Sequence, residues 1–509
     1  MLHVAIFVEG LRSQPRVMFW LATLVQAAIW WLVPSIFYSA PPAALPEVLA
    51  VGHEFQLGTD LGPPLAFWLA EIAYRVGGLT AVYLLAQICV VVTYWAVFTL
   101  GRAIVGTQHA AIAVLLMVGI SVMTVPSPDF GPWTLGMALS ALVMLHFWRA
   151  IGEGRRHYWF ILAIDIGLLL LTTYAGLILL AALLLFTGMA ERGRAALQTL
   201  EPWFAAIAVA VLLFPHLIWL DVAGEVAFAP LLERLHSAEA AQTNLVAWGR
   251  LLVGLVFVHA GLLVLVSLAG GWRIKAREPL PTVVRPPVDA FAKRFVYFLA
   301  IVPAVIATLI ATLIGSRSPA GGTGPYVVLS GLAAVILAGD AITIHRQRIV
   351  GLAWSLMLFF PPIMMVLAIV GLPWAAAIEL QVAQPANALG QFFSETFERR
   401  TSRTLEIVGG DARLAALVAL AASSRPSLYD HVRPARTPWV TADDIRRKGI
   451  VVVWPATDTA GTPPADIRAR FPDLVAELPR AFAHTIQGRL PLARVGWGML
   501  RPESAPVAR

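Results

Sequence analysis

Apolar stretches long enough to cross a lipid bilayer recur along this chain, separated by short polar segments. At a rise of about 1.5 Å per residue, about twenty apolar residues cover the hydrocarbon core. Runs of this kind predict spans near residues 17–38, 79–100, 109–126, 132–149, 158–172, 175–190, 203–220, 245–270, 295–315, 324–343 and 350–372. The stretch from Tyr158 to Ala190 is too long for one crossing, and Thr172-Thr173-Tyr174-Ala175-Gly176 supplies the turn that divides it. The first run follows Arg12 and Arg16 and ends at Ser39-Ala40, as a secretory signal would. It exceeds the roughly 7–15 apolar residues of such signals and is read as an uncleaved first helix.

The pattern changes after residue 373. Residues 380–400 read as an amphipathic helix leaving the membrane. Strands follow at 404–408, 427–429, 450–454 and 492–500, and helices at 412–422, 442–448 and 464–471, with Thr441 as an N-cap. Strands alternating with helices predict a small α/β sandwich. Gly409-Gly410-Asp411 reads as an ordinary strand–helix turn.

Charge then orients the chain. Arg12, Arg16, Arg102, Arg149, Arg155, Arg156, Arg192, Arg194, Arg273, Lys275, Arg277, Arg285, Lys293, Arg294, Arg346 and Arg348 all fall on one side of the eleven spans. Glu47, Glu54, Asp60, Glu71, Asp129, Asp221, Glu225, Glu233 and Glu239 fall on the other. The positive-inside rule makes the basic side cytoplasmic. The expected fold is a polytopic α-helical membrane protein of about eleven transmembrane helices with a C-terminal extracytoplasmic α/β domain. Its domains are residues 1–373, with an outer loop at 39–78, and 374–509. The N-terminus lies in the cytoplasm. In a Gram-negative cell the protein sits in the plasma (inner) membrane with its C-terminal domain in the periplasm.

Composition agrees. Apolar residues are 59% of the chain and charged residues 13%, against roughly half and a quarter in soluble proteins. Between the apolar spans the basic residues sit in short loops, so no nucleic-acid partner is expected. The lone Cys89 excludes a disulfide framework and a thiolate metal site, and no other metal pattern or cofactor motif is seen.

Chemistry is expected at the outer face. The first outer loop carries Glu47, Glu54 and Asp60, and residues 65–74 read as a helix lying at the interface. A carboxylate there could act as general base; the alternative is a solvated loop turned by Pro63-Pro64. Asp129 either caps the following helix or faces a cavity shared with the first loop. Arg234 and His236 in the third outer loop, and Arg317 in a later one, could neutralise a lipid phosphate. Within the spans, His146 and Asp340 are expected to snorkel, and Asp165 to bond a neighbouring helix.

Several segments, in order, resemble a known family. They are Ala40-Pro41-Pro42, Leu45-Pro46-Glu47, Gly52-His53-Glu54-Phe55-Gln56-Leu57-Gly58, Pro63-Pro64-Leu65, Trp148-Arg149-Ala150, Tyr158-Trp159, Leu171-Thr172-Thr173-Tyr174 and Pro215-His216-Leu217-Ile218-Trp219-Leu220. The tail adds Val408-Gly409-Gly410-Asp411, Arg425-Pro426-Ser427-Leu428-Tyr429, Pro438-Trp439 and Val452-Val453-Trp454. Together they resemble the GT-C integral membrane glycosyltransferases of the protein-mannosyltransferase and aminoarabinose-transferase type (glycosyltransferase family 39-like). The resemblance implies transfer of a sugar from a polyprenyl-phosphate donor to a lipid, glycan or protein acceptor at the outer membrane face. It implies Glu47 as the first candidate base, with Asp60 and Asp129 behind it, and substrate contacts at His53, Glu54, Tyr174, Arg234 and Arg317. Ala44, Leu61, Gly62 and Thr173 stand where the family carries acidic or basic residues. The alternatives are therefore a catalytically degenerate relative that binds a lipid-linked glycan or a partner protein, and a lipid or solute transporter.

Overall fold

The computed structural model describes residues 13–236, 245–270, 282–343, 347–456 and 458–503. Of the charges used to orient the chain, Arg12, Glu239, Arg273, Lys275, Arg277 and Arg346 lie outside the described residues. Packing divides the chain into two compact units. One comprises Met1–Leu32, Leu61–Ala66 and Tyr83–Ile363; the other comprises Val33–Asp60, Phe67–Val82 and Met364–Arg509.

The first unit is almost wholly helical. Among the described residues, six helices are long and apolar enough to cross a membrane: Pro15–Phe37, Leu65–Val105, Pro132–Gly152, Glu201–Leu235, Ala290–Leu313 and Gln347–Ala375. Two bent pairs, Gly176–Met189 with Glu191–Leu197 and Leu245–Val258 with Ala260–Ala269, raise the number to eight if each is one span. The remaining predicted runs coincide with the shorter apolar helices Thr107–Met117, Tyr158–Leu170 and Gly324–Leu337. Helix Leu65–Val105 breaks at Gly77 and Gly78, where the dihedrals leave the helical region. Gly78 has φ +61°, which favours a residue without Cβ. The predicted interfacial helix and second span are the two sides of this break.

Several helices expose continuous apolar faces. Val211, Phe214, Ile218 and Val222 on Glu201–Leu235 are exposed, as are Leu352, Leu356, Phe360, Ile363 and Leu367 on Gln347–Ala375. Surfaces this apolar call for lipid around them.

Two expectations change here. Helix Glu201–Leu235 runs past the predicted span end at 220, with only Ala223 off helical geometry, so part of the expected third outer loop is helix. His146 is buried rather than snorkelling, and its Nδ1 lies 2.5 Å from Asp165 Oδ2. The helix–helix bond expected of Asp165 is thus made by His146. Asp340 pairs with Arg285 at 2.9 Å and remains half exposed. A short hairpin completes the unit: β1 (Thr282–Val284) pairs antiparallel with β2 (Ala341–Thr343).

The second unit is built on a five-stranded mixed sheet. Its strands are β3 (Ile407–Gly410), β4 (Ser427–Tyr429), β5 (Ile450–Pro455), β6 (Val475–Phe482) and β7 (Ala493–Leu500), in the order β4-β3-β5-β7-β6. β3 runs parallel to β4 and β5, and β7 antiparallel to β5 and β6. β5 is apolar at every position because both sheet faces are covered. Val451 and Val453 face helices Ala386–Thr401 and Ala412–Ala421, whereas Ile450, Val452 and Trp454 join Ile445, Ile467 and Phe471 on the opposite face. Asp411 caps helix Ala412–Ala421 by accepting from Leu414 N at 3.0 Å, as an ordinary strand–helix turn does. Thr441 and Asp444 form a capping box on Ala442–Lys448. The predicted helix at 380–400 is narrower: a 3-10 turn occupies Gln381–Ala383 and the α-helix Ala386–Thr401.

Most of the first outer loop, through Asp60 and again from Phe67, belongs to this unit. Ala40 and Ala50 lie in the same core as Leu389, Phe393, Val408 and Val418. Ser39 N and Ala40 N donate to Val382 O, and Arg413 donates to Pro41 O, Ala43 O and Gln381 O.

Candidate functional site

The acidic loop is organised around an eight-residue helix, Leu45–Gly52. Pro46 in its first turn presets φ and lacks the N–H that would go unbonded there. Glu47, in the same turn, complements the positive helix end. Leu45, Val48, Leu49, Ala50 and Val51 are buried. At the far end Gly52 allows contact too close for any side chain: a Cβ would stand 2.4 Å from Phe67 O. The chain then turns through Phe55 (φ +48°) and reaches Asp60.

Two charge clusters follow from this path. In the first, Arg436 Nε donates to Asp60 Oδ2 in a short contact, and Arg436 Nη1 donates to Asp430 Oδ2 at 3.4 Å. Asp430 is held by Val432 N and Arg433 N, which both donate to its Oδ1 at 3.0 Å. That turn aims Arg436 back at the loop. Burial raises the Glu47 carboxyl above its ordinary range; Arg436 opposes this, and Asp60 and Asp430 add to it. Burial likewise raises Asp60, against Arg436. The two carboxyls differ in one respect: Asp60 is engaged by the guanidinium, whereas among the described residues no hydrogen bond engages Glu47.

In the second cluster Glu71, 1% exposed, gathers one histidine and two arginines. His53 Nδ1 lies 3.1 Å from it, Arg75 Nε donates at 2.9 Å and Arg425 Nη2 at 2.7 Å. Arg425 also sits 4.4 Å over the Tyr74 ring. Glu54 is adjacent in sequence. Burial raises its carboxyl, a Ser427 hydrogen bond opposes this, and one carboxylate oxygen is buried without a partner among the described residues.

The remaining predicted residues lie in the helical unit. Asp129 is half buried, and Gly131 rather than Asp129 occupies the N-cap of the next helix. The Asp129 backbone carbonyl accepts from Thr134 Oγ1 at 2.8 Å. Tyr174 Oη lies 3.2 Å from Nε2 of the buried His216, whose ring stacks on Trp219. Arg234 is exposed at the end of Glu201–Leu235, and Arg317 is exposed in the bend after Ile314. The structure thus brings Glu47 and Asp60 to one arginine, and His53 to Glu71. Sequence reasoning missed Arg436, Asp430, Arg425 and Glu71 as site residues. Only the Glu71–Arg75 pair, four residues apart on a helix, carried a local signal. Among the described residues no group of three or more His, Cys, Asp or Glu could hold a metal ion.

The chain thus joins a unit of long apolar helices to a mixed α/β unit that packs most of the first outer loop, and this arrangement has known likenesses. Residues 62–219 match the family described as dolichyl-phosphate-mannose-protein mannosyltransferase. The chain superposes on the crystal structure of ArnT from Cupriavidus metallidurans bound to undecaprenyl phosphate with TM-score 0.57 at 12% identity, covering 95% of this chain and 97% of that one. A weaker likeness links it to the archaeal oligosaccharyltransferase AglB from Archaeoglobus fulgidus, in complex with an inhibitory peptide and a dolichol-phosphate. There the TM-score is 0.46 at 13% identity, over 87% of this chain and 70% of that one. No curated protein sequence matches the chain. The resemblance drawn from the loop and tail motifs is borne out at the level of this fold and family match.

Proposed function

We propose that this protein transfers a sugar from a polyprenyl-phosphate carrier to a lipid, glycan or protein acceptor at the outer face of the plasma membrane. The chain crosses the bilayer eleven times, with a cytoplasmic N-terminus and its α/β domain outside. The ArnT-like course of the chain and the mannosyltransferase family match support this reading. The observation that carries the chemistry is Glu47: a partly buried carboxyl, raised by burial and unengaged by hydrogen bonds among the described residues, beside the engaged Asp60–Arg436 pair.

In this reading Glu47 takes the proton from the acceptor nucleophile. The nucleophile attacks the anomeric carbon through an oxocarbenium-like transition state, and the lipid phosphate leaves with the glycosidic electron pair. Asp60, tied to Arg436, acts as a positioning residue that tunes Glu47. Arg234 and Arg317 are the candidates for meeting the departing phosphate. His53, Glu54 and Tyr174 are candidates for substrate contact, and Asp129 is held as a reserve base.

The test uses the full chain in nanodiscs with lipids extracted from its own membrane. Mass spectrometry follows a co-purifying polyprenyl-phosphate sugar in wild type, Glu47→Gln and Asp60→Asn. Loss of sugar from the carrier in wild type but not in Glu47→Gln supports the assignment. A carrier bound equally by all three and never turned over would instead mark a binding relative.

A further inference from the structure

A cavity of about 660 Å³ lies wholly within the helical unit, among residues carried by the ends of helices Pro15–Phe37 and Thr107–Met117 and by the β1 hairpin. Its walls include Arg16, Gly106, Thr107, His109 and Arg285. The charge distribution assigns this face to the cytoplasm. Three observations make it a site for an anion. First, the eleven-residue helix Thr107–Met117 begins at the wall, and its N-cap is Gly106, which has no side chain to satisfy the first amides. Second, His109 is 1% exposed and lines the cavity, and its Nε2 has no partner among the described residues. Third, the Arg285 side chain is 2% exposed, and its guanidinium is anchored by Asp340, Pro286 O and Gly339 O. Arg285 Nε nevertheless remains buried without a partner among the described residues.

Burying polar atoms without partners is costly, so a group that supplies acceptors here gains more than it would on an open surface. Asp340 offsets one positive charge. The exposed Arg16 and the helix terminus keep the wall electropositive. We infer that this cavity binds a phosphate group through the Thr107–Met117 helix N-terminus, His109, Arg285 and Arg16. This does not rest on the transfer reading, because none of these residues belongs to the acidic loop.

The test places the full-length protein in nanodiscs of neutral phosphatidylcholine, of phosphatidylcholine with phosphatidylglycerol, and of phosphatidylcholine with inorganic phosphate in the buffer. Thermal unfolding and native mass spectrometry report binding. Wild type should unfold at higher temperature with one of the two phosphate sources. A gain confined to phosphatidylglycerol identifies a lipid headgroup, and an equal gain from inorganic phosphate identifies a soluble one. Arg16→Gln should weaken retention about tenfold, the loss of one charge-assisted bond. Thr107→Asp is the decisive variant: its carboxylate suits the helix terminus and preserves folding, yet it repels an anion. It should abolish the gain while leaving the melting temperature in neutral discs unchanged or higher. No gain from either source in wild type, or a full gain in Thr107→Asp, would overturn the inference.

Discussion

Arg436 donates its Nε–H to Asp60 across a sequence separation of 376 residues, fastening the first outer loop to the turn that follows β4. The Asp60 side chain is 5% exposed, so the guanidinium neutralises a carboxylate that burial would otherwise penalise. The same cation opposes the burial-raised pKa of both Glu47 and Asp60, while Asp60 adds to the rise at Glu47.

Glu47→Gln keeps the shape of the first helical turn and removes only the base. Transfer should fall by roughly a hundredfold or more, the usual contribution of a positioned general base. Carrier binding should persist, so a single-turnover assay with bound donor separates the two. Asp60→Asn should cost less, because Asp60 is already held by Arg436.

The pH profile should carry the same logic with signs. A base must be deprotonated, so activity is lost as pH falls through the Glu47 pKa. Burial raises that pKa, and the acid limb should lie above the ordinary carboxylate range. Arg436→Gln removes a lowering influence and should move the limb to higher pH. Asp60→Asn removes a raising influence and frees the arginine, and should move it lower. Profiles of the three proteins that superpose would remove Glu47 from the reaction.

How far the sequence could be read depended on how local each signal was. Long apolar runs and the capped helix Ala442–Lys448 announce themselves within a few residues, and the structure has helix at each of them, though six to eight rather than eleven are long and apolar enough to cross among the described residues. Helix Leu45–Gly52 does not, because it is short, nearly all apolar and carries a proline, so no period of 3.6 emerges. Strand β6 was missed for another reason. It lies at the sheet edge, is largely exposed, and holds Pro479 at a register shift between Glu477 and Arg480, features that erase alternation. Glu47, Glu54 and Asp60 stood out as candidates because carboxylates are rare in this chain, whereas Glu71 and Asp430 did not. Arg436 and Arg425 gave no sign either, because nothing near them in sequence says which distant acid each will meet.

The Glu71 cluster yields a stability prediction. Glu71→Gln removes the carboxylate that Arg425 meets at 2.7 Å and leaves a largely buried guanidinium short of its partner. Breaking such a pair costs about 3–5 kcal/mol. A thermal melt in detergent should show the loss. Replacing both residues by apolar ones of similar volume should recover much of it, since desolvation of the pair is then no longer required.

Gly52 gives the sharpest steric test of the loop's seating. Any Cβ there would stand 2.4 Å from the backbone oxygen of Phe67 and 3.3 Å from Glu71 Cβ. Backbone cannot rotate out of the way as a side chain can, so the helix Leu45–Gly52 must shift. Gly52→Ala relieves some chain entropy, but overpacking of this kind costs about 1–3 kcal/mol and should outweigh that gain. Gly52→Val should cost more. Because Glu47 rides on the displaced helix, transfer should fall further than stability alone explains, which kcat measured well below the melting temperature would reveal. A Gly52→Val protein with wild-type melting and wild-type kcat would mean that the loop is not seated against Phe67 in the working enzyme.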